Sequence, residues 1–313
     1  MNSNTSESLQ APEISPHKVL PMDTLADVGR KVVLNEVDKI HQYEIAENKP
    51  DVYTMQIAMF QLQGALNLLK THFKPKTMRL YKHALRHRSQ VLSDIQNVDT
   101  LIEDLQSFEA TLDSDNQVIL KGILEKLVQR QAALQEVLEK MSDSKEQRRF
   151  VKSLAALANE PIADGKRNPS QVRHLLPSLI YDRLAVVSAY NERLAEVDNS
   201  ILEKLNAEIK RSLYTISLFE DVLGKQIAEF TKEVQSIQAT LDQIHNTVMA
   251  QNNLDRLMNT GKKKYVTIFE SYLQYRETRE TELIAEFKTK WARFNSRKVQ
   301  QKLSTALLAL YEN

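Results

Sequence analysis

Apolar residues recur every three or four positions along most of the chain, the repeat of an α-helix with one buried face. From Met22 to about Ala46, Leu25, Val28, Val32, Val33, Val37 and Ile40 form such a stripe. Asp51 is placed to cap a second helix that runs to about Thr71. Lys76 to about Leu112 is periodic through Met78, Tyr81, Leu85, Leu92, Ile95, Val98, Leu101, Ile102 and Leu105. Asp113-Ser114-Asp115-Asn116 reads as a break and an N-cap. The helix expected after it, about Gln117 to Met141, carries Val118, Leu120, Leu124, Leu127, Leu134 and Leu138. Arg148 to Asn159 reads as a short helix. Pro21, Pro50, Pro75, Pro161, Pro169 and Pro177 are expected at helix ends or starts, because proline lacks the N–H that a helix interior uses. A second set of helices is expected from about Gln171 onward, broken near Gly261. The spacing wanders between three and four without a lasting heptad, which favours a globular bundle over a coiled coil.

Composition sharpens this picture. With Gly 6 and Pro 8 in 313 residues, the chain lacks the punctuation that strands and tight turns require. The expected fold is all-α: two pseudo-repeated antiparallel bundles of long helices. Residues 1–20 are expected to be a disordered lead and 21–159 the first bundle. Residues 160–171, with Pro161, Gly165 and Pro169, read as a linker, and 172–313 as the second bundle. Cys 0 removes disulfides, cysteine-ligated metals and thiol nucleophiles. No stretch has the ~20 apolar residues of a membrane span, and Met1 to Lys18 lacks the apolar core of a signal peptide. A cytoplasmic protein without membrane contact is expected.

The formal net charge is +1, so any affinity for polyanions must come from uneven distribution. The distribution is uneven. Between Asp51 and Asp94 there is no acid, while Lys70, Lys74, Lys76, Arg79, Lys82, Arg86 and Arg88 are present with His72, His83 and His87. Lys76, Arg79, Lys82, His83 and Arg86 follow at helical steps, and the helix expected after Pro75 would aim its free N–H groups at an anion. Two readings stay open: a polyanion site, or a solvated basic face balanced by acids elsewhere. His83 and His87 have the i, i+4 spacing of helical zinc ligands, but Arg86 and Arg88 beside them repel a cation, and no metal is expected. Lys262-Lys263-Lys264, Arg148-Arg149 and Lys166-Arg167 read as ordinary solvated charge. No phosphate-cradling glycine loop, nucleophile elbow or H-E-x-x-H motif occurs, so neither catalysis nor a cofactor is expected.

Two segments can be laid on each other without a gap: Val52 to Gln63 and Leu202 to Leu213, each followed by an apolar patch. Both resemble the repeated helix of the CHAD (conserved histidine α-helical domain) family, V/L-H-x-x-R-V/I-x-x-R/K-R-L-R. Ile237 to Asn246 resembles the family's L-Q-D-x-L-G-x-L-N-D, Leu92 to Asp99 its L-G-x-x-R-D-x-D, and Trp291 with Phe294 its W-x-x-F. The resemblance covers about Met22 to Asn313. It implies one domain of two helical bundles around a basic cavity that binds inorganic polyphosphate without chemistry. Association with polyphosphate granules is its narrower implication. The alternating E-x-E-x-K of the triphosphate tunnel enzymes that often accompany the family is not present.

The departures from the pattern fall on its charges. Tyr53 and Glu203 stand at the family's histidine. Gln56, Phe60, Gln61 and Gln63 replace its basic residues in the first copy, and Asn206 and Leu213 do so in the second. Lys210 and Arg211 match, and with Lys204 they form a second candidate group. The residues expected to hold a polyanion are therefore Lys70, Lys76, Arg79, Lys82, His83, Arg86, Lys204, Lys210 and Arg211. Competing expectations are a structural or protein-binding scaffold that kept the fold and lost the ligand, and nucleic-acid binding. For the latter, the aromatics among the charges, Phe73 and Tyr81, are few for base stacking.

Overall fold

The protein is represented by a computed structural model that describes residues 17–45, 51–142, 144–161, 170–195, 198–258 and 266–311. Most of the expected lead and linker, the break at Gly261, Lys166-Arg167 and Lys262-Lys263-Lys264 lie outside the described residues. The helices are α1 (Leu25–Ile45), α2 (Val52–Leu69), α3 (Pro75–Glu109), α4 (Ser114–Ser142), α5 (Lys145–Asn159) and α6 (Val172–Ser188). They continue as α7 (Asn199–Ser217), the single turn α8 (Glu220–Leu223), α9 (Ile227–Met258), α10 (Val266–Phe294) and α11 (Arg297–Leu308). The fold is all-α: among the described residues the only extended pairing is one isolated bridge between Thr24 and Gln171.

Local chemistry sets the helix starts. Asp51 caps α2 by accepting the Thr54 N–H at 2.7 Å, and that bond holds its carboxyl below the ordinary value. Pro75 opens α3, where its missing N–H costs nothing. Asp113 accepts the Asn116 N–H at 2.9 Å, so α4 begins at Ser114, earlier than the periodicity implied. Ser144 likewise accepts the Gln147 N–H at 3.0 Å and starts α5 at Lys145 instead of Arg148. Two expectations are corrected. Val118 is 69% exposed despite its apolar spacing, because the first turns of α4 bury Leu120 instead. Pro177 lies inside α6, not at its edge. It is tolerated there because it removes only the one N–H that would reach Arg173, and the start of α6 is held from outside. Val172 N–H donates to the Asp23 carbonyl at 2.7 Å and Arg173 N–H to that of Pro21 at 3.0 Å.

The apolar faces build two cores. The larger draws on α1, α2, the first half of α3, the end of α4, α5, α6, α7, α8, α9, the second half of α10 and α11, with Phe219, Phe230, Phe287 and Phe294 at or below 1% exposure. The smaller joins Val98, Leu101, Leu105 and Phe108 of α3 to Leu120 and Leu127 of α4 and to Ile268, Phe269 and Tyr272 of α10. A polar knot ties this smaller core: the Asp104 carboxylate on α3 accepts from the Tyr272 hydroxyl and from the Arg276 guanidinium on α10. Arg276 is 6% exposed, and its Nε and Nη2 are buried without a partner. Burial pushes the Tyr272 phenol well above its ordinary value.

Close helix contacts depend on small residues. A Cβ on Gly29 of α1 would sit 2.8 Å from Leu69 Cγ and 3.0 Å from the Ala65 carbonyl oxygen, part of the α2 backbone. A Cβ on Gly64 would meet only the tip of Leu218 at 2.8 Å. Gly29→Ala is therefore expected to cost about 1–3 kcal/mol through overpacking, outweighing its helix-propensity gain of ~1 kcal/mol. Gly64→Ala should be nearly neutral, since a leucine tip can rotate away. Urea denaturation midpoints of the two variants check the difference.

Candidate functional site

The basic block of the sequence lies along the end of α2 and the first third of α3. Lys70 is the C-cap of α2 and Lys74 the N-cap of α3, with no side chain capping the latter. Lys76, Arg79, His83 and Arg86 follow on one exposed side of α3, while Met78, Leu85 and Leu92 are buried on the other. At 1.5 Å per residue, Lys76 and Arg86 are about 15 Å apart along the axis. None of Lys70, Lys74, Lys76, Arg79, His83 and Arg86 forms an ion pair among the described residues. Among the described residues, then, no carboxylate is paired with the strip.

Not every cation of the block belongs to this strip. Lys82 is turned toward α2, donating to Asn67 Oδ1 at 2.7 Å. Arg88 fastens α3 to α5: its Nε donates to Gln147 Oε1 at 2.9 Å and its guanidinium lies 4.2 Å from the Phe150 ring centre. Burial lowers the pKa of Arg88 from its ordinary value. Tyr81 also binds inward, through its hydroxyl to the Ser153 carbonyl at 3.0 Å. Among the described residues no group of three or more histidines and carboxylates could hold a metal.

The second candidate group lies elsewhere, at or near a central cleft of about 260 Å³ between α2, α3, α7 and α9. Lys210 lines it, but Lys210 Nζ is 2.6 Å from Asp242 Oδ1. Asp242 also accepts from Asn206 Nδ2 at 2.7 Å and from Gln238 Nε2 at 3.3 Å. Arg211 is exposed and bonded to Glu208, and Lys204 is exposed near the α7 cap Asp198. The rest of the lining is amide, hydroxyl and aromatic: Gln56, Gln96, Gln235 and Gln238; Ser89, Ser93, Ser217 and Thr231; Tyr53, Phe60 and Tyr214. Gln56 and Gln96 bond to each other at 2.9 Å, and Phe60 stacks on Tyr214 with ring centres 4.1 Å apart. Burial, with a contribution from Asp242, pushes the Tyr214 phenol well above its ordinary value, so it stays a hydroxyl. One cation, Lys210, faces two carboxylates, Asp242 and Glu220.

The two candidate groups are therefore not brought together. α3 lines the cleft only through Ser89, Ser93 and Gln96, beyond the basic strip. The sequence marks Gln56 and Phe60 only as lost cations and does not single out Tyr214 or Asp242 as site residues. A usable signal exists in polar residues at helical spacing within otherwise buried helices, as in Gln235, Gln238 and Asp242 of α9.

Comparison with protein families matches the CHAD domain over residues 32–255. Comparison with curated proteins finds no match. Among solved structures, the crystal structure of the CHAD domain from the plant Ricinus communis superposes with a TM-score of 0.69 at 18% identity. The match covers 91% of this chain and 97% of that one.

Proposed function

The chain belongs to the CHAD family, and from that premise we propose that it binds inorganic polyphosphate, without chemistry, on the open strip formed by Lys70, Lys74, Lys76, Arg79, His83 and Arg86. The observation that carries this reading is that Lys76, Arg79, His83 and Arg86 are exposed on one side of α3, with Lys70 and Lys74 exposed just before it, and that none of the six forms an ion pair among the described residues. Polyphosphate offers about one charge per phosphate, and several uncommitted cations along a line are what such a polymer can share oxygens with. The uncapped start of α3 adds free N–H groups and the positive end of a helix dipole beside Lys74 and Lys76. In this reading Lys82 supports the strip from its bond to Asn67, and Lys204, Lys210 and Arg211 contribute little. A polyanion entering the cleft would have to displace Asp242 from Lys210 while facing Glu220. The cytoplasm, and polyphosphate granules within it, is the proposed setting; no described helix is long and apolar enough to cross a membrane.

The test is binding of labelled long-chain polyphosphate across a salt series, with duplex DNA as competitor. Five lysine and arginine contacts predict a slope of log affinity against log salt of roughly −3 to −4, with the single-strand nucleic-acid coefficient as the guide. Duplex DNA, whose phosphates can meet the same cations, measures how far the strip prefers polyphosphate. A second reading, a scaffold that has lost its ligand, is favoured by the excess of carboxylates over cations in the cleft. It becomes the better account if the folded protein binds neither polymer.

A further inference from the structure

We propose that the central cleft is a separate binding site for one small, uncharged, polyhydroxylated molecule of the sugar or cyclitol class. Its charge disfavours an anion: Lys210 is already paired with Asp242 at 2.6 Å, so an anion would have to break that pair to reach the one cation of the lining. Glu220, which also lines the cleft, opposes an anion further.

The remaining chemistry suits hydroxyl groups, which donate and accept at once. Carboxamides do the same, and Gln56, Gln235 and Gln238 present three of them from α2 and α9. A carboxamide can take two neighbouring hydroxyls together, one as donor and one as acceptor. Capacity is also free: among the described residues, Ser93, Thr231 and Gln235 spend no side-chain hydrogen bond inside the protein. Phe60 and Tyr214, stacked on each other, add aromatic surface to the lining, and 64%-exposed Tyr53 lines the cleft as well. A pyranose or inositol ring has a matching form, one face of C–H groups and a rim of hydroxyls. At about 260 Å³ the space lies just below the ~300–1,000 Å³ usual for small-molecule sites, so it takes one or two rings and no longer chain.

The experiment is ligand-observed NMR titration of the full chain with glucose, galactose, mannose, myo-inositol, maltose and trehalose. At least one should bind saturably. Gln56→Leu and Gln235→Leu, whose side chains are not in the core, should each weaken it about tenfold while leaving the melting temperature in place. Saturating polyphosphate should not displace it, and a strip variant that no longer binds polyphosphate should bind it normally. Silence from every sugar at roughly tens of millimolar overturns the proposal. So does binding that survives both glutamine variants, or displacement by polyphosphate, which would make the cleft a polyanion site.

Discussion

Replacing Lys76, Arg79 and Arg86 together by glutamate is expected to lower polyphosphate affinity by at least about a hundredfold. Near a polyanionic surface each basic contact contributes roughly 1 kcal/mol, so losing three corresponds to about two decades. Repulsion from the new carboxylates adds to that. The slope of log affinity against log salt should fall by about 2, since three counterion-releasing contacts vanish. All three side chains are exposed and unpaired, so the variant should fold and melt as the parent does. Lys210→Glu with Arg211→Glu provides the contrast. These residues already engage Asp242 and Glu208, and their reversal should leave polyphosphate affinity within a few-fold. Equal losses from both variants would mean that the strip and the α7 cations serve one ligand, against the proposed assignment.

The largest stability effect is expected at Asp104. Asp104→Ala would leave the Arg276 guanidinium buried with no carboxylate, joining the two donors that already lack partners. Removing one member of a buried ion pair costs about 3–5 kcal/mol. Arg276→Met should cost less, because it removes the buried charge and keeps an apolar stem. Asp104 would still hold the Tyr272 hydroxyl. The double variant should be more stable than the sum of the single costs implies, since the orphaned charge is then absent. Urea denaturation of the three variants measures the coupling. A cost below about 1 kcal/mol for Asp104→Ala would place this pair among exposed ones of little consequence.

What was legible in the sequence follows the range of the forces involved. Asp51 and Pro75 signal helix starts because capping and the missing proline N–H act within a turn. Val28, Val32, Val33 and Val37 signal a buried face because helix geometry alone aligns them. Pro177 misled because what makes it tolerable is remote: the backbone of Pro21 and Asp23 holds the start of α6. The basic strip was legible as an acid-free run. Which of its members point outward was not, since Arg88 is claimed by Gln147 and Phe150 on another helix. The cleft was hidden more deeply. Residues of α2, α3, α7, α8 and α9 assemble it, and Lys210 loses its value to an anion because Asp242 pairs with it. The pairing of Asp104 with Arg276, 172 positions apart, leaves no trace in local spacing.

Both cores share their rods. α3 contributes Leu85 and Leu92 to the larger and Leu101 and Phe108 to the smaller. α4 contributes Leu138 to one and Leu127 to the other, and α10 does the same with Phe287 and Tyr272. Three unbroken helices therefore cross the level at which the cores meet. A hinge there would need simultaneous kinks in all three, each forfeiting backbone hydrogen bonds in a place without proline or glycine to ease it. The two cores accordingly move as one piece, and no clamshell closure at that level can drive ligand capture or release.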